Sequence, residues 1–413
     1  MNPPELIRKI RLWGIRGVIN HFRHRNDHRD TIRFLTENAK IRCSRECGIT
    51  IIGNLSARLS VSKTLRDFAF SLRDAGIPFQ TFDLGPGEIP EEDIGPILTP
   101  REDFRINRYS HVIEMLSSPL PDGIVKHRGR IMFWEFEHGL LDTYPIFIER
   151  PGDVIGMSDF NVQIFEKELQ GKRPVRKILY PLRVDTGSAL SKDAARQRFG
   201  FSPEDFIVFY NFSLDSGYYR KNPLGALKAF AMAFRSTPNA KLVFKINHVK
   251  GHETRMQEFI DFAAQNGFSE RLVLISDYLS HTDLFSLTNT CDIYLSLHRS
   301  EGFGLGIAEA MSLGKTVVVT DYSGVKEFCN TDNSILVPAK LTRIKPHEFE
   351  HPWYRTGKEW ADPNITAAAT ALRELYTSRR KMEMLGKNAQ DFISRHFSTE
   401  NFRESVLAYL TGN

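Results

Sequence analysis

Two glutamates eight residues apart bracket the segment of this chain best equipped for chemistry. Glu301 opens the run Glu301-Gly302-Phe303-Gly304-Leu305-Gly306, and Glu309 follows, with Ala310, Met311 and Gly314 behind it. Glycines at 302, 304 and 306 let backbone N–H groups approach an anion closely, and a helix starting there adds its positive dipole end. A carboxylate on each side of such a loop can accept hydrogen bonds from pairs of sugar hydroxyls. Phosphates and sugar hydroxyls together describe a nucleotide sugar. The spacing alone is weak, because two glutamates at a fixed separation recur by chance in a chain of this length. The whole run, with the apolar stretch Thr316–Thr320, Ser323-Gly324 and Glu327 after it, is far more specific.

A second group of residues supplies the opposite charge. Arg220-Lys221-Asn222-Pro223 stands between an apolar run and a helical pattern. Two cations at a helix start suit a diphosphate, Arg as a fork and Lys as a point charge, although a solvated basic turn has the same composition. Lys245 ends another apolar run and is a further candidate to reach a cleft, or simply a solvated strand end. A rival chemistry uses the same glycines. Gly304-x-Gly306 with Asp321 would make a dinucleotide fingerprint, with Asp321 on the ribose. Its third glycine falls at position 309, where Glu309 would repel pyrophosphate.

The elements that must position these residues alternate between strand and helix. In the first half, Cys47–Gly53, Phe79–Leu84, Tyr109–Met115, Arg130–Trp134 and Lys177–Tyr180 read as strands, with helices over Ser62–Ala75 and Asn161–Gln170. In the second, strands are expected at Phe206–Phe212, Lys241–Asn247, Leu272–Ile275, Ile293–His298 and Thr316–Thr320. Helices are expected at Pro223–Ser236, His252–Gln265 and Thr282–Asn289. Such alternation implies parallel sheets, and two series imply an α/β protein of two Rossmann-like domains. Ligands then sit at the carboxyl ends of the strands, in the cleft between domains. The divisions predicted are a basic extension (1–47), a first domain (48–184), a polar linker (185–203), a second domain (204–391) and a C-terminal helix (392–413).

Composition narrows the class. The 413 residues are 41% hydrophobic, and no apolar run approaches the ~20 residues of a membrane span. The start lacks a secretory pattern, and four cysteines (43, 47, 291, 329) in a chain this long suit a reducing, cytoplasmic setting. Cys43 and Cys47 have no matching ligand pair, so no metal site is expected there. The net charge is +5, yet residues 1–48 hold eleven Lys and Arg against five acids, an excess of +6. Interleaved Ile7, Ile10, Leu12, Trp13, Ile15 and Val18 would let this segment lie on an anionic membrane surface. A solvated helix packed on the domain is the alternative, and no nucleic-acid module is recognisable.

The run E-G-F-G-L-G-x-x-E-A-M-x-x-G resembles the retaining glycosyltransferases of family 4, which carry an E-x7-E motif on a GT-B fold. The resemblance spans roughly residues 48–410 and is strongest over 206–338. It implies that Glu301 lies near the donor sugar, that Glu309 binds the nucleotide ribose and that Arg220 and Lys221 contact the donor diphosphate. Backbone at Gly302, Phe303, Gly304, Leu305 and Gly306 would serve the phosphates, with Gly53 and Lys245 as further donor-side candidates. Phe133-Trp134-Glu135 with Tyr144-Pro145, and Trp360-Ala-Asp-Pro363, resemble a subgroup of mannosyl- and rhamnosyl-type transferases acting on surface polysaccharides. Glu135 then stands where many members place a catalytic His, and Trp134 and His138 are the acceptor-side candidates. Two departures stand out. The loop after the first strand reads Ser60-Val61-Ser62-Lys63 instead of a Gly-x-Gly-Glu pattern, and Asp215-Ser216-Gly217 lacks a third cation.

What the resemblance implies is a sugar transfer from a nucleoside-diphosphate sugar to a saccharide or lipid-linked glycan, without cofactor or metal. The expected place is the cytoplasm, peripheral to the inner face of the membrane, in polysaccharide or lipopolysaccharide biosynthesis. The C-terminal stretch Phe392–Leu410 is expected to cross back onto the first domain. The alternatives are an NAD-dependent oxidoreductase and a non-catalytic glycan-binding GT-B scaffold.

Overall fold

A computed structural model describes residues 29–41, 46–115, 120–144, 149–183, 189–351, 354 and 358–412. Its first sheet contains β1 (Glu46–Gly53), β2 (Phe79–Asp83), β3 (Tyr109–Met115), β4 (His127–Ile131), β5 (Asp153–Gly156) and β6 (Val175–Lys177), in the order β2-β1-β3-β4-β5-β6. The second contains β7 (Phe206–Ser213), β8 (Ala240–Asn247), β9 (Leu272–Ile275), β10 (Ile293–Ser296), β11 (Thr316–Thr320) and β12 (Ile335–Val337), in the order β12-β11-β10-β7-β8-β9. Every pairing between neighbours in both sheets is parallel. β13 (Ala339–Arg343) and β14 (Glu359–Pro363) form an antiparallel ribbon set into the second half. This is the α/β arrangement of two Rossmann-like halves expected from the alternation.

Six helices carry the argument: α1 (Ser60–Asp74), α2 (Tyr218–Lys221), α3 (Pro223–Ala233), α4 (Leu305–Ser312), α5 (Arg379–His396) and α6 (Thr399–Thr411). Parallel strands are covered on both faces, so their side chains are apolar on both. Ile49 and Ile51 of β1 pack with Leu65, Phe68 and Leu72 of α1, while Ile52 on the other face joins Leu35, Phe82 and Phe104. Residues 29–38 form a helix on that second face. Phe34 stacks on Phe82 at 5.4 Å, and Asn38 donates to the Phe104 carbonyl and accepts from the Ile106 N–H. The first domain therefore starts well before residue 48, and the rest of the predicted extension (1–28, 42–45) lies outside the described residues.

Two other divisions and one strand shift for identifiable reasons. Within the predicted linker, Lys192–Arg198 is a helix of the second half, tied there by the buried Arg196, whose Nη2 lies 2.9 Å from Asp292. Residues 184–188 lie outside the described set. β4 ends at Ile131, so Phe133–Glu135 is loop and not strand. The apolar pattern misses β4 because its buried positions include Arg128 and Arg130, both ion-paired with Glu114 of β3. The C-terminal stretch is two helices, since α5 ends before Phe397 and Ser398 caps α6 through the Asn401 N–H. Only α6 returns to the first half, where Phe402 meets Phe68 edge-on at 5.4 Å and Ser405 accepts from the Leu179 N–H. The crossing falls near residue 398 and not at 392.

Candidate functional site

The glycine-rich loop leaves the carboxyl end of β10 and turns into α4. Gly304 caps that helix at φ 97, a left-handed conformation that a side chain would strain, and a Cβ there would lie 2.7 Å from Val325. Gly302 is small for another reason. A Cβ on it would come within 3.0 Å of Phe133, in the first half. Phe303 turns its ring inward and stacks on Tyr180 at 4.1 Å, so only its backbone faces a ligand. Leu305 and Gly306 sit half-buried in the first turn of α4, where helix N–H groups have no intrahelical acceptor.

The loop is gripped from both halves. Ser323 accepts from the Glu301 N–H at 2.8 Å, and the Gly324 N–H donates to the Glu301 carbonyl at 2.9 Å. These contacts explain why Ser323-Gly324 follows the signature. From the first half, Ser158 donates to the Gly302 carbonyl at 2.9 Å. Ser300 of the loop in turn donates to the Glu135 carbonyl.

The predicted cations meet the first glutamate directly. α2 ends at Asn222, which adopts φ 53, caps α3 through the Gly225 N–H and donates to the Leu297 carbonyl. That geometry turns α2 toward the glycine loop. Lys221 Nζ lies 2.5 Å from Glu301 Oε1, and Arg220 Nη1 lies 3.3 Å from Oε2. Arg220 Nη2 stands 3.8 Å from Glu135 Oε1, and its Nε donates to the Tyr354 hydroxyl at 3.2 Å. Glu301, Lys221, Arg220 and Glu135 thus form one cluster fed by both halves. Burial would push the Glu301 carboxyl up, but Lys221 and Arg220 hold it down at about 2. His298 beneath them is fully buried, and burial with the neighbouring cations lowers it to about 4, leaving it neutral.

The second glutamate sits apart from these cations. Glu309 on α4 is 7% exposed, and its one ion-pair partner among the described residues comes from the other half. Burial raises its pKa, with Lys63 opposing. Lys63 of α1 reaches it across the cleft at 3.4 Å. Sequence reasoning noted Lys63 only as a departure from a glycine pattern and missed its role. The residual signal was Asp67 four residues on, which fixes the lysine's direction on the helix. Tyr354 was missed as well, because nothing in the sequence ties an insert 134 residues downstream to Arg220.

Other candidates are placed elsewhere. Trp134 is 1% exposed and packs among Phe136, Leu140, Tyr354 and Trp360, with its indole N–H directed at the His138 carbonyl. It is core, so an acceptor contact through its ring has no surface to use. His138 is exposed, and only its carbonyl takes part in this packing. Gly53 closes β1, where a Cβ would strike Leu65 at 2.3 Å, so close packing of α1 accounts for it. Lys245 lies two residues before the end of β8 with its amine on Asn247 at 2.7 Å, and burial lowers it to about 8. It is not joined to Glu301 by any ion pair among the described residues.

Residues 191–343 match the family described as glycosyl transferases group 1. The chain takes the GT-B fold, as solved neighbours aligned over 88–89% of it show. HepE of Anabaena, solved with UDP-glucose, aligns with a TM-score of 0.65 at 15% identity, covering 89% of this chain and 100% of that one. Sucrose-phosphate synthase of Thermosynechococcus elongatus aligns at 0.62 and 14% identity, over 89% and 99%. WaaG, a glycosyltransferase involved in lipopolysaccharide biosynthesis, aligns at 0.59 and 13%, over 88% and 100%. At these identities the likeness is one of fold. No curated protein sequence matches the chain.

Proposed function

We propose that this chain is a glycosyltransferase that moves a sugar from a nucleoside-diphosphate donor to a saccharide hydroxyl with retention of configuration, in the assembly of a surface polysaccharide or lipopolysaccharide. The observation that carries the reading is the Arg220–Lys221 pair poised over Glu301 at the start of α4. As the glycosidic bond breaks, negative charge grows on the leaving phosphate, and two fixed cations and a helix start stabilise it. In this proposal they do the electrostatic work that a metal ion does in other transferases. Glu301, released from the cations by the incoming diphosphate, is left to accept hydroxyls of the donor sugar, and Glu309 accepts those of the ribose.

The reading of retention draws on the resemblance of the run from Glu301 to Glu309 to the retaining transferases. The dinucleotide reading finds Glu309 where its third glycine would stand, a carboxylate facing pyrophosphate. The surface-glycan assignment draws on WaaG's role and on the motif around Glu135. Peripheral attachment to the membrane is proposed for the basic N-terminal segment (1–47), whose charge excess and interleaved apolar residues suit an anionic surface.

The test is to incubate the protein with sugar nucleotides and oligosaccharide acceptors. Nucleoside diphosphate release should match glycoside formed, and proton NMR of the first product should show the donor's anomeric configuration. An inverted product would overturn retention, and binding without release would favour the silent scaffold.

A further inference from the structure

Glu309 and Lys63 face each other from opposite walls of the cleft, one on α4 and one on α1, with Nζ 3.4 Å from Oε1. The carboxylate is nine-tenths buried, and Lys63 is its one close cationic partner among the described residues. A carboxylate with a single such partner keeps lone pairs free for hydroxyl donors of a ligand. Lys63 is held in place from behind, with Asp67 at 2.5 Å. Burial works against its charge, but Asp67 and Glu309 more than offset that, and it stays protonated. The start of α1 is also anchored to the donor loop. Thr64 shares a hydrogen bond with the Tyr180 hydroxyl at 3.0 Å, and the Tyr180 ring lies on Phe303.

A fixed carboxylate facing a fixed ammonium is complementary to a vicinal diol. Each hydroxyl donates to the carboxylate and accepts from the ammonium, so the two side chains use both capacities of the diol. We propose that Lys63 is a donor-specificity residue, supplied by the first domain, that closes over the ribose diol held by Glu309 and selects ribonucleoside over 2′-deoxyribonucleoside diphosphates. The inference rests on the donor reading above. A nucleotide lacking the 2′-hydroxyl would leave a buried carboxylate and ammonium imperfectly paired, and sites built around a hydroxyl reject analogues without it strongly.

The experiment compares UDP, GDP and ADP with dUDP, dGDP and dADP by calorimetry, on wild type, Lys63→Met and Lys63→Arg. For the tightest-binding base, wild type should prefer the ribonucleotide by at least about tenfold. Lys63→Met should lose about tenfold for the ribonucleotide while leaving the deoxynucleotide nearly unchanged, so that the preference collapses. Lys63→Arg, which keeps the charge on Asp67, should keep a clear preference and serves if the Met variant does not fold. Equal binding of ribo and deoxy forms by wild type, or equal loss of both in the variants, overturns the inference and leaves the donor reading standing. Failure of wild type to bind any of the six, or dTDP and CDP added beside them, overturns the donor reading itself.

Discussion

At the scale of single residues, the site is a set of charges arranged to be re-paired. Lys221 and Arg220 already hold a carboxylate where a diphosphate would go, which keeps two buried cations from standing unpaired. Lys221→Ala should lower kcat by ~10²–10³, and Arg220→Lys should also be impaired because a point charge cannot replace a fork. Steady-state kinetics with saturating donor checks both, and wild-type turnover in Lys221→Ala would remove this loop from the mechanism. His298 gives a prediction in pH. Burial lowers it from 6.5 to about 4, so between these values the unfolded chain binds a proton that the folded chain refuses. Its contribution is full above pH 6.5 and is lost as pH falls to about 4, a change on the order of 3 kcal/mol. His111, also lowered to about 4 by burial, adds a second share. Thermal melts between pH 7 and 4 should therefore fall steeply for wild type and less steeply for His298→Gln. Identical slopes would show that His298 is not the group responsible.

At the scale of elements, what the sequence displays as a contiguous pattern reappears in the structure, and what depends on distant pairing does not. β7, β8, β10 and β11 are apolar runs bounded by turn residues, and the donor loop follows β10 as expected. β4 was misplaced because two buried arginines interrupt its pattern, and only Glu114, on the next strand, makes them tolerable there. The insert from β13 to β14 was unreadable for a similar reason. Its Trp360 was noticed, but its work lies in contacts across the fold. Glu348 pairs with Arg299, Glu350 accepts from the Tyr219 N–H, and Lys358 lies 4.4 Å over the Trp134 ring. Through Tyr354 the insert also backs the guanidinium of Arg220. Tyr354→Phe removes one hydrogen bond to a charged group, and should cost about tenfold in kcat with donor KM little changed. Unaltered kcat in a folded Tyr354→Phe protein would reduce the insert to packing.

At the scale of the whole molecule, the two halves are joined through the donor loop, the Lys63–Glu309 bridge and Lys177, which meets Glu327 at 2.7 Å. The helix over residues 29–38 matters for dissecting the molecule. Residues 1–28 hold six Lys and Arg against two acids, whereas residues 29–38 are a helix of the first domain. A chain starting at 29 should fold as the full chain does but lose attachment to anionic vesicles, at about 1 kcal/mol for each basic residue near the surface. A chain starting at 47 should melt lower, because Leu35 and the Phe34–Phe82 stack leave the core. Co-sedimentation with anionic and neutral vesicles at low salt, beside melts of all three chains, separates the two effects. Equal sedimentation of the full chain and the 29-start chain would rule out membrane attachment through this segment.

The seat of Lys358 on Trp134 has an optical consequence. Trp134 and Trp360 are both buried in the seam where the insert meets the first half, and a cation lies over one of the rings. Any ligand that draws the insert toward or away from that seam changes the field at an indole chromophore. The chain thus carries its own fluorescent gauge of how its halves respond to a donor, without an added label.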